Sequence, residues 1–302
     1  MIYSIALALL LGFELSYYLL IIQTGIAEHY NSELLTLLPM FIGGVLGTLL
    51  AGKPWGKIIN PIHKIYVALS LQLVLSLVYP DYNVLTLALL GIAVGMMAPL
   101  GIYLFKGEQQ AKFLLALAIA YTTGTYLFTT EADNRMWMAV LFTSIALVAA
   151  LLLRNYKIQE DDKNTTNPYV AYIPLMVWIF LDSNLFESLS RHEGINIWSS
   201  FTLVIIVFHL LGLIAAYYIK LQDKNQHVFI TLLFIGSYLF SYLEMPLALA
   251  VVYPFTISYY NVVVFGALSR EASLYKLSIM MIFVGWIASG LGLGLALSKI
   301  LH

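Results

Sequence analysis

Eleven stretches of mostly apolar residues run through this sequence, separated by short polar connections. They cover 2–22, 34–52, 65–79, 84–105, 113–129, 136–153, 170–188, 201–219, 228–243, 247–266 and 277–298. A helix that crosses a bilayer needs roughly 17–25 mostly apolar residues, because the hydrocarbon core is about 30 Å thick. The stretches at 65–79 and 228–243 are short, and each runs into a tight turn containing Pro80 or Pro246. Composition agrees with the pattern. Hydrophobic residues make up 61% of the 302 residues and charged ones only 10%, against about 45–50% and about 25% in ordinary soluble domains. So few charges cannot cover a water-facing surface. A soluble enzyme, a nucleic-acid binder and a disordered chain are excluded in turn. The fold class expected is all-α, a polytopic helical membrane protein with the lipid bilayer as its main surroundings.

Lys and Arg set the orientation, because cytoplasmic loops carry an excess of them. With the N-terminus cytoplasmic, the inner loops hold Lys53, Lys57, Lys64, Lys106, Lys112, Arg154, Lys157, Lys163, Lys220, Lys224, Arg270 and Lys276, and the outer segments hold Arg135, Arg191 and Lys299. The fifteen basic residues split twelve to three. A missed or invented span would scramble that alternation downstream of the error. The expected location is the cytoplasmic (plasma) membrane, with the C-terminus outside. The first span carries Glu14, lacks a preceding basic residue and has no cleavage site after it, so it reads as a mature helix and not as a signal peptide.

The longest polar stretch between spans, 154–169, divides six spans from five. Domains are expected at 1–153 and 170–302, with a cytoplasmic linker between them. Shifting the second half by 168 residues sets Asp182 on Glu14 and Gly212 on Gly44. The fourth and tenth spans each carry an internal proline, Pro99 and Pro254. The loop after the second span reads Gly47-Thr-Leu-Leu-Ala-Gly-Lys53-Pro-Trp-Gly56-Lys57, and the fourth span reads Gly91-Ile-Ala-Val-Gly95-Met-Met-Ala-Pro99-Leu-Gly101. In its paired halves, central inner loop and these two stretches, the chain resembles the major facilitator superfamily. It departs from that family's pattern in lacking the Asp-Arg pair of the loop and a twelfth span. The resemblance implies two helix bundles that rock against one another. It also implies that the first and seventh spans line a central cavity, which would set Glu14 and Asp182 across the substrate path.

Ionisable side chains inside spans are costly, at roughly 2.5–3.5 kcal/mol on insertion scales, and normally face a cavity or a partner. Glu14, Asp182 and His209 lie deep, and Glu187 lies near the outer end of the seventh span. These four are the expected ion-coupling or substrate residues. Tyr17, Tyr18, Gln72, Tyr121, Asn184, Tyr259 and Asn261 are expected to line the cavity, since their spans are too polar to face lipid alone. Packing of helix on helix would use the same hydroxyls. Gly285, Gly290, Gly292 and Gly294 mark the eleventh span as a close-packing helix.

The function expected is secondary active transport of a small molecule or ion by alternating access, coupled to protons through the carboxylates. The other readings are a divalent-metal exporter using Glu14, Asp182 and His209, and a non-transporting assembly or lipid-handling protein. No metal ligands are assigned beyond that alternative. There is no Walker loop, no His-Glu-x-x-His and no Gly-x-Ser-x-Gly in the chain, so neither catalytic residues nor a cofactor are expected and the protein does not read as an enzyme.

Overall fold

The computed structural model describes residues 2–30, 33–55, 60–106, 108, 110–158, 168–191, 196–271 and 273–297, with the Arg191 side chain left out. Gly56 and Lys57 of the second loop, most of the 154–169 linker with Lys163, and the tail at 298–302 with Lys299 lie outside the described residues.

The described residues are helical, with no strand among them. Long helices are α1 (Ile2–His29), α2 (Leu34–Gly52), α3 (Pro61–Ser76), α4 (Val84–Leu104), α5 (Gln110–Leu127) and α6 (Met136–Leu152). They continue as α7 (Ile173–Arg191), α8 (Thr202–Tyr218), α9 (Asp223–Tyr242), α10 (Pro246–Leu268) and α11 (Leu274–Leu297). Each of the eleven apolar stretches overlaps one of these helices. Six are long and apolar enough to cross a membrane: α1, α2, α4, Tyr169–Ser190 containing α7, α10 and α11. The helices α3, α6 and α8 are apolar but shorter.

Sequence sets several helix starts directly. Asn60 accepts from the Ile62 N–H at 3.0 Å and is followed by Pro61, whose missing N–H costs nothing in the first turn. Asn83 and Thr86 form a capping box at α4, each side chain accepting from the other's backbone N–H at 2.9 and 2.8 Å. Asn83→Ala is expected to lower stability by about 1 kcal/mol, measurable as an earlier unfolding midpoint in detergent. Ser273 caps α11 at the Lys276 N–H.

The helices are turned inside out relative to those of a soluble protein. In α2, Leu35, Leu38, Ile42, Leu46 and Leu50 form an exposed stripe at near-helical spacing. Leu203, Val207, Leu211, Ile214 and Tyr218 do the same on α8, and Val228, Leu232, Ile235, Leu239 and Tyr242 on α9. The opposite faces bury Thr48, His209 and Ser237. Exposed apolar stripes over buried polar groups fit a lipid solvent, in which backbone bonds must be met within helices. The protein is therefore an all-helical membrane protein.

Its helices form two compact units: Met1–Ala120, Thr130–Thr166 and Leu268–Ile282 in one, Tyr121–Thr129, Asn167–Ala267 and Phe283–His302 in the other. The division passes through α5 and α11. In α11 it coincides with a π-helical stretch, Ile282–Ile287.

In the first unit α2 and α4 run parallel and interlock through glycine. A Cβ at Gly43 would stand 2.1 Å from the Ala88 carbonyl oxygen, and one at Gly47 2.1 Å from that of Ile92. From the other side, Gly91 meets the Met40 oxygen and Gly95 the Gly44 oxygen, again at 2.1 Å. Thr48 closes the seam by donating to the Gly44 and Gly95 carbonyls at 2.8 and 2.9 Å. In the second unit, Gly212 of α8 sits over α10, where a Cβ would lie 2.6 Å from the Phe255 oxygen. The pairing of second with fourth helix thus recurs as eighth with tenth. In α11, Gly292 packs on the Phe180 carbonyl of α7, with 2.5 Å to a would-be Cβ, whereas Gly290 and Gly294 meet nothing within 4 Å. The glycine run of α11 is thus a packing device at Gly292 and not at those two positions.

The second half of α1 is π-helical over Tyr18–Ile26. The wider turn displaces carbonyls from their regular partners, and Arg135 takes them up. Its Nη1 donates to the Leu20 oxygen at 2.8 Å and to Thr24 Oγ1 at 2.7 Å, and its Nε to the Thr130 oxygen at 2.8 Å. Although the sequence reads Arg135 as a charge of a connecting segment, it is only 2% exposed.

Candidate ion and solute site

Each deep carboxylate lies on the first helix of its half, and each is surrounded by polar side chains of its own unit. Glu14 belongs to the first unit. It is 8% exposed and accepts from Gln72 Nε2 of α3 at 3.0 Å. The second N–H of that amide goes to Thr143 Oγ1 of α6 at 3.1 Å. A turn further along, the Tyr17 hydroxyl is 3.2 Å from Ser76 Oγ, and Ser76 itself donates to the Gln72 carbonyl. Phe13 and Phe142 pack beside the cluster, with ring centroids 5.5 Å apart. Glu14, Tyr17, Gln72, Ser76 and Thr143 are all buried. Tyr18 stands half-buried at the start of the π-helical stretch.

Asp182 belongs to the second unit and is only half-buried. One carboxylate oxygen accepts from the Tyr253 hydroxyl at 2.9 Å and the other from the Tyr260 hydroxyl. Seven residues apart, Tyr253 and Tyr260 are two turns along one face of α10. From α9 the Tyr238 hydroxyl reaches the Leu181 carbonyl at 2.8 Å and Asn184 Oδ1 at 2.9 Å. Asn184 is buried.

A second row of polar contacts runs alongside. Asn261 Nδ2 donates to the Tyr121 hydroxyl at 2.8 Å. The Tyr121 ring stacks on His209, with centroids 4.4 Å apart and an angle of 3°. His209 Nδ1 pairs with Ser258 Oγ at 2.7 Å. Helix α10 supplies Tyr253, Ser258, Tyr260 and Asn261, so one helix serves both rows. No salt bridge joins Asp182 or Glu14 to a basic side chain among the described residues.

No protein-family model matches the chain, and no curated protein is similar to it.

Of the residues singled out from sequence, Asp182, Asn184, His209, Tyr121 and Asn261 come together in the second unit. Glu14, Tyr17 and Gln72 come together in the first. Glu187 is buried near the end of α7. Tyr259 turns to Phe229 and Phe255, with centroids at 5.0 and 6.2 Å. Among the described residues no three His, Asp or Glu side chains gather as a metal ion would require.

Sequence reasoning left Thr143 and Ser76 out of the site, and took Tyr238, Tyr253 and Tyr260 only as tyrosines inside spans, serving either helix packing or a cavity wall, without tying the last two to Asp182. For the last two a signal existed, since a seven-residue interval places two hydroxyls on one helix face. Lys64 reads from sequence as a loop charge, yet it is 3% exposed. Its Nζ caps the end of α2, donating to the Ala51 and Lys53 carbonyls at 2.7 Å each.

Proposed function

We propose that this protein is a secondary transporter that moves a small solute by alternating access, coupled to protons through Glu14 and Asp182. One observation carries the reading. In a helical unit whose outward surface is apolar, the Asp182 carboxylate is held by two tyrosine hydroxyls and, among the described residues, by no basic side chain. Such a group has neither a fixed counter-charge nor full solvation, and a mobile proton or solute meets that need. Glu14, held by an amide, is the matching group on the first helix of the other half.

The rest of the architecture follows the major facilitator resemblance. In this reading all eleven helices span the membrane, the N-terminus is cytoplasmic, which the twelve-to-three split of basic residues supports, and the location is the plasma membrane. Recurrence of the second-with-fourth pairing as eighth with tenth supports a repeat. Division of α11 at a π-helical stretch supports movement there, since π turns mark places where a helix yields.

The test uses proteoliposomes loaded with a pH-sensitive dye and challenged with metals, sugars, amino acids and organic ions. The wild-type protein is expected to give solute-dependent proton flux. Glu14→Gln and Asp182→Asn are each expected to reduce it to the level of empty vesicles while the unfolding midpoint stays unchanged. Undiminished flux in both variants overturns the proposal.

A further inference from the structure

The second unit also indicates what kind of solute its site accepts. Asp182 presents a carboxylate whose hydrogen-bond donors are neutral phenols. Neutral donors spread the negative charge but leave it uncancelled, so a proton or a cationic occupant can supply the positive charge, and the two would compete for the same carboxylate. The surroundings are aromatic. Tyr253 and Tyr260 touch the carboxylate through their hydroxyls, the Tyr238 hydroxyl bonds the Leu181 carbonyl and Asn184 on either side of Asp182, and the Tyr121 hydroxyl is tied to Asn261, next to Tyr260. These four phenol rings come from α5, α9 and α10. A cation within about 6 Å of a ring centroid is attracted by the ring's negative face. A hard metal ion demands several charged oxygen or imidazole ligands. Yet no three His, Asp or Glu side chains gather among the described residues, and His209 is engaged by Ser258 and Tyr121. A weakly hydrated organic cation asks for less, namely one carboxylate and aromatic neighbours.

Access differs between the two carboxylates. Glu14, Gln72 and Tyr17 are buried, whereas Asp182, Tyr121, Tyr238 and Asn261 are each half-buried. The less buried residue of the two is the one ringed by tyrosine, although Tyr253 and Tyr260, which hold its carboxylate, are themselves buried.

We infer that the Asp182 site, walled by Tyr121, Tyr238, Tyr253 and Tyr260, binds a small organic cation of the substituted-ammonium class. The inference rests on the transporter reading for the passage of the solute, and on the second unit's geometry alone for binding. It gives that reading its substrate class.

Binding is measured by titration calorimetry on the full chain in detergent, without transport. The probes are tetramethylammonium, choline and 3,3-dimethyl-1-butanol, the last being the neutral isostere of choline. Both cations are expected to bind and the isostere to bind at least roughly tenfold more weakly. Asp182→Asn is expected to weaken choline by roughly tenfold or more, and Tyr121→Leu by roughly three- to tenfold. Equal binding of choline and its isostere by the wild-type protein overturns the inference, whatever the variants do. So does an absence of heat from both cations up to roughly 10 mM, or undiminished choline binding by a folded Asp182→Asn variant. Cation binding without any solute-dependent proton flux would instead overturn the transporter reading and leave the site standing.

Discussion

Gly95→Leu is expected to leave almost no folded protein, and Gly47→Leu the same. At both positions the atom in the way is a backbone carbonyl oxygen of the facing helix, 2.1 Å from where a Cβ would stand. A flexible side-chain end could move aside, but a carbonyl inside a helix cannot shift without its helix. Carbon and oxygen in van der Waals contact sit more than 3 Å apart, so α2 and α4 would have to separate by about an ångström even for alanine. Separation breaks the Thr48 bonds to the Gly44 and Gly95 carbonyls and opens the other three glycine contacts together. Overpacking usually costs about 1–3 kcal/mol. Here each glycine guards the same seam, so Gly95→Ala is expected at the top of that range and leucine beyond it. Close approach is also what holds such helices, since lipid tails offer no hydrophobic drive between them. Gly290→Ala in α11 is the control. Nothing lies within 4 Å of its Cβ, and alanine is the better helix former by up to about 1 kcal/mol. Detergent-solubilised yield and unfolding midpoint should collapse for Gly95→Leu, fall for Gly95→Ala, and hold or rise for Gly290→Ala. An unfolding midpoint for Gly95→Ala equal to that of the wild type would refute the interlocked seam.

Those glycines show where the sequence was legible. Helix positions could be read from it because hydrocarbon thickness and the cost of bare backbone groups leave one pattern for a spanning segment. The apolar stretch at 34–52 and the helix Leu34–Gly52 share their bounds. Glu14 and Asp182 stood out because a carboxylate inside an apolar run needs a reason. Their surroundings did not stand out. Gln72 and Thr143 are ordinary residues in spans rich in serine, threonine and tyrosine, and only packing selects which of them faces a carboxylate. The glycines of α2 and α4 and those of α11 look alike on paper, being small residues at intervals of two to four. Which face of each helix meets a neighbour is decided by tertiary structure. At Gly292 the neighbour is α7, and at Gly290 nothing stands opposite. Arg135 and Lys64 were hidden for another reason. Both sit at span ends, where sequence reads charge as loop, yet both are buried and spend their protons on helix-end and displaced carbonyls.

Arg135→Ala is expected to cost roughly 3 kcal/mol or more, because charged hydrogen bonds to buried carbonyls are lost and those carbonyls are left unmet. Three hydrogen bonds from the guanidinium are lost, and each bond to a charged group is worth about 1.5–3 kcal/mol. The carbonyls of Leu20 and Thr130 are left without that donor. Arg135→Lys separates charge from geometry. An ammonium restores the charge and three donors, but it cannot present the planar fork that lets Nε reach Thr130 while Nη1 reaches both Leu20 and Thr24. It should therefore recover only about half of the loss. Hydrogen exchange locates the effect. In Arg135→Ala, amides of the π-helical stretch Tyr18–Ile26 should exchange faster than those of α2 and α4, because Arg135 bonds the Leu20 carbonyl and Thr24 within that stretch. The Gln72 bond to Glu14 lies below it on α1, so protection around Glu14 should persist. Uniform acceleration across the first unit would mean that Arg135 supports the whole bundle, and unchanged exchange would mean that the π turn holds itself.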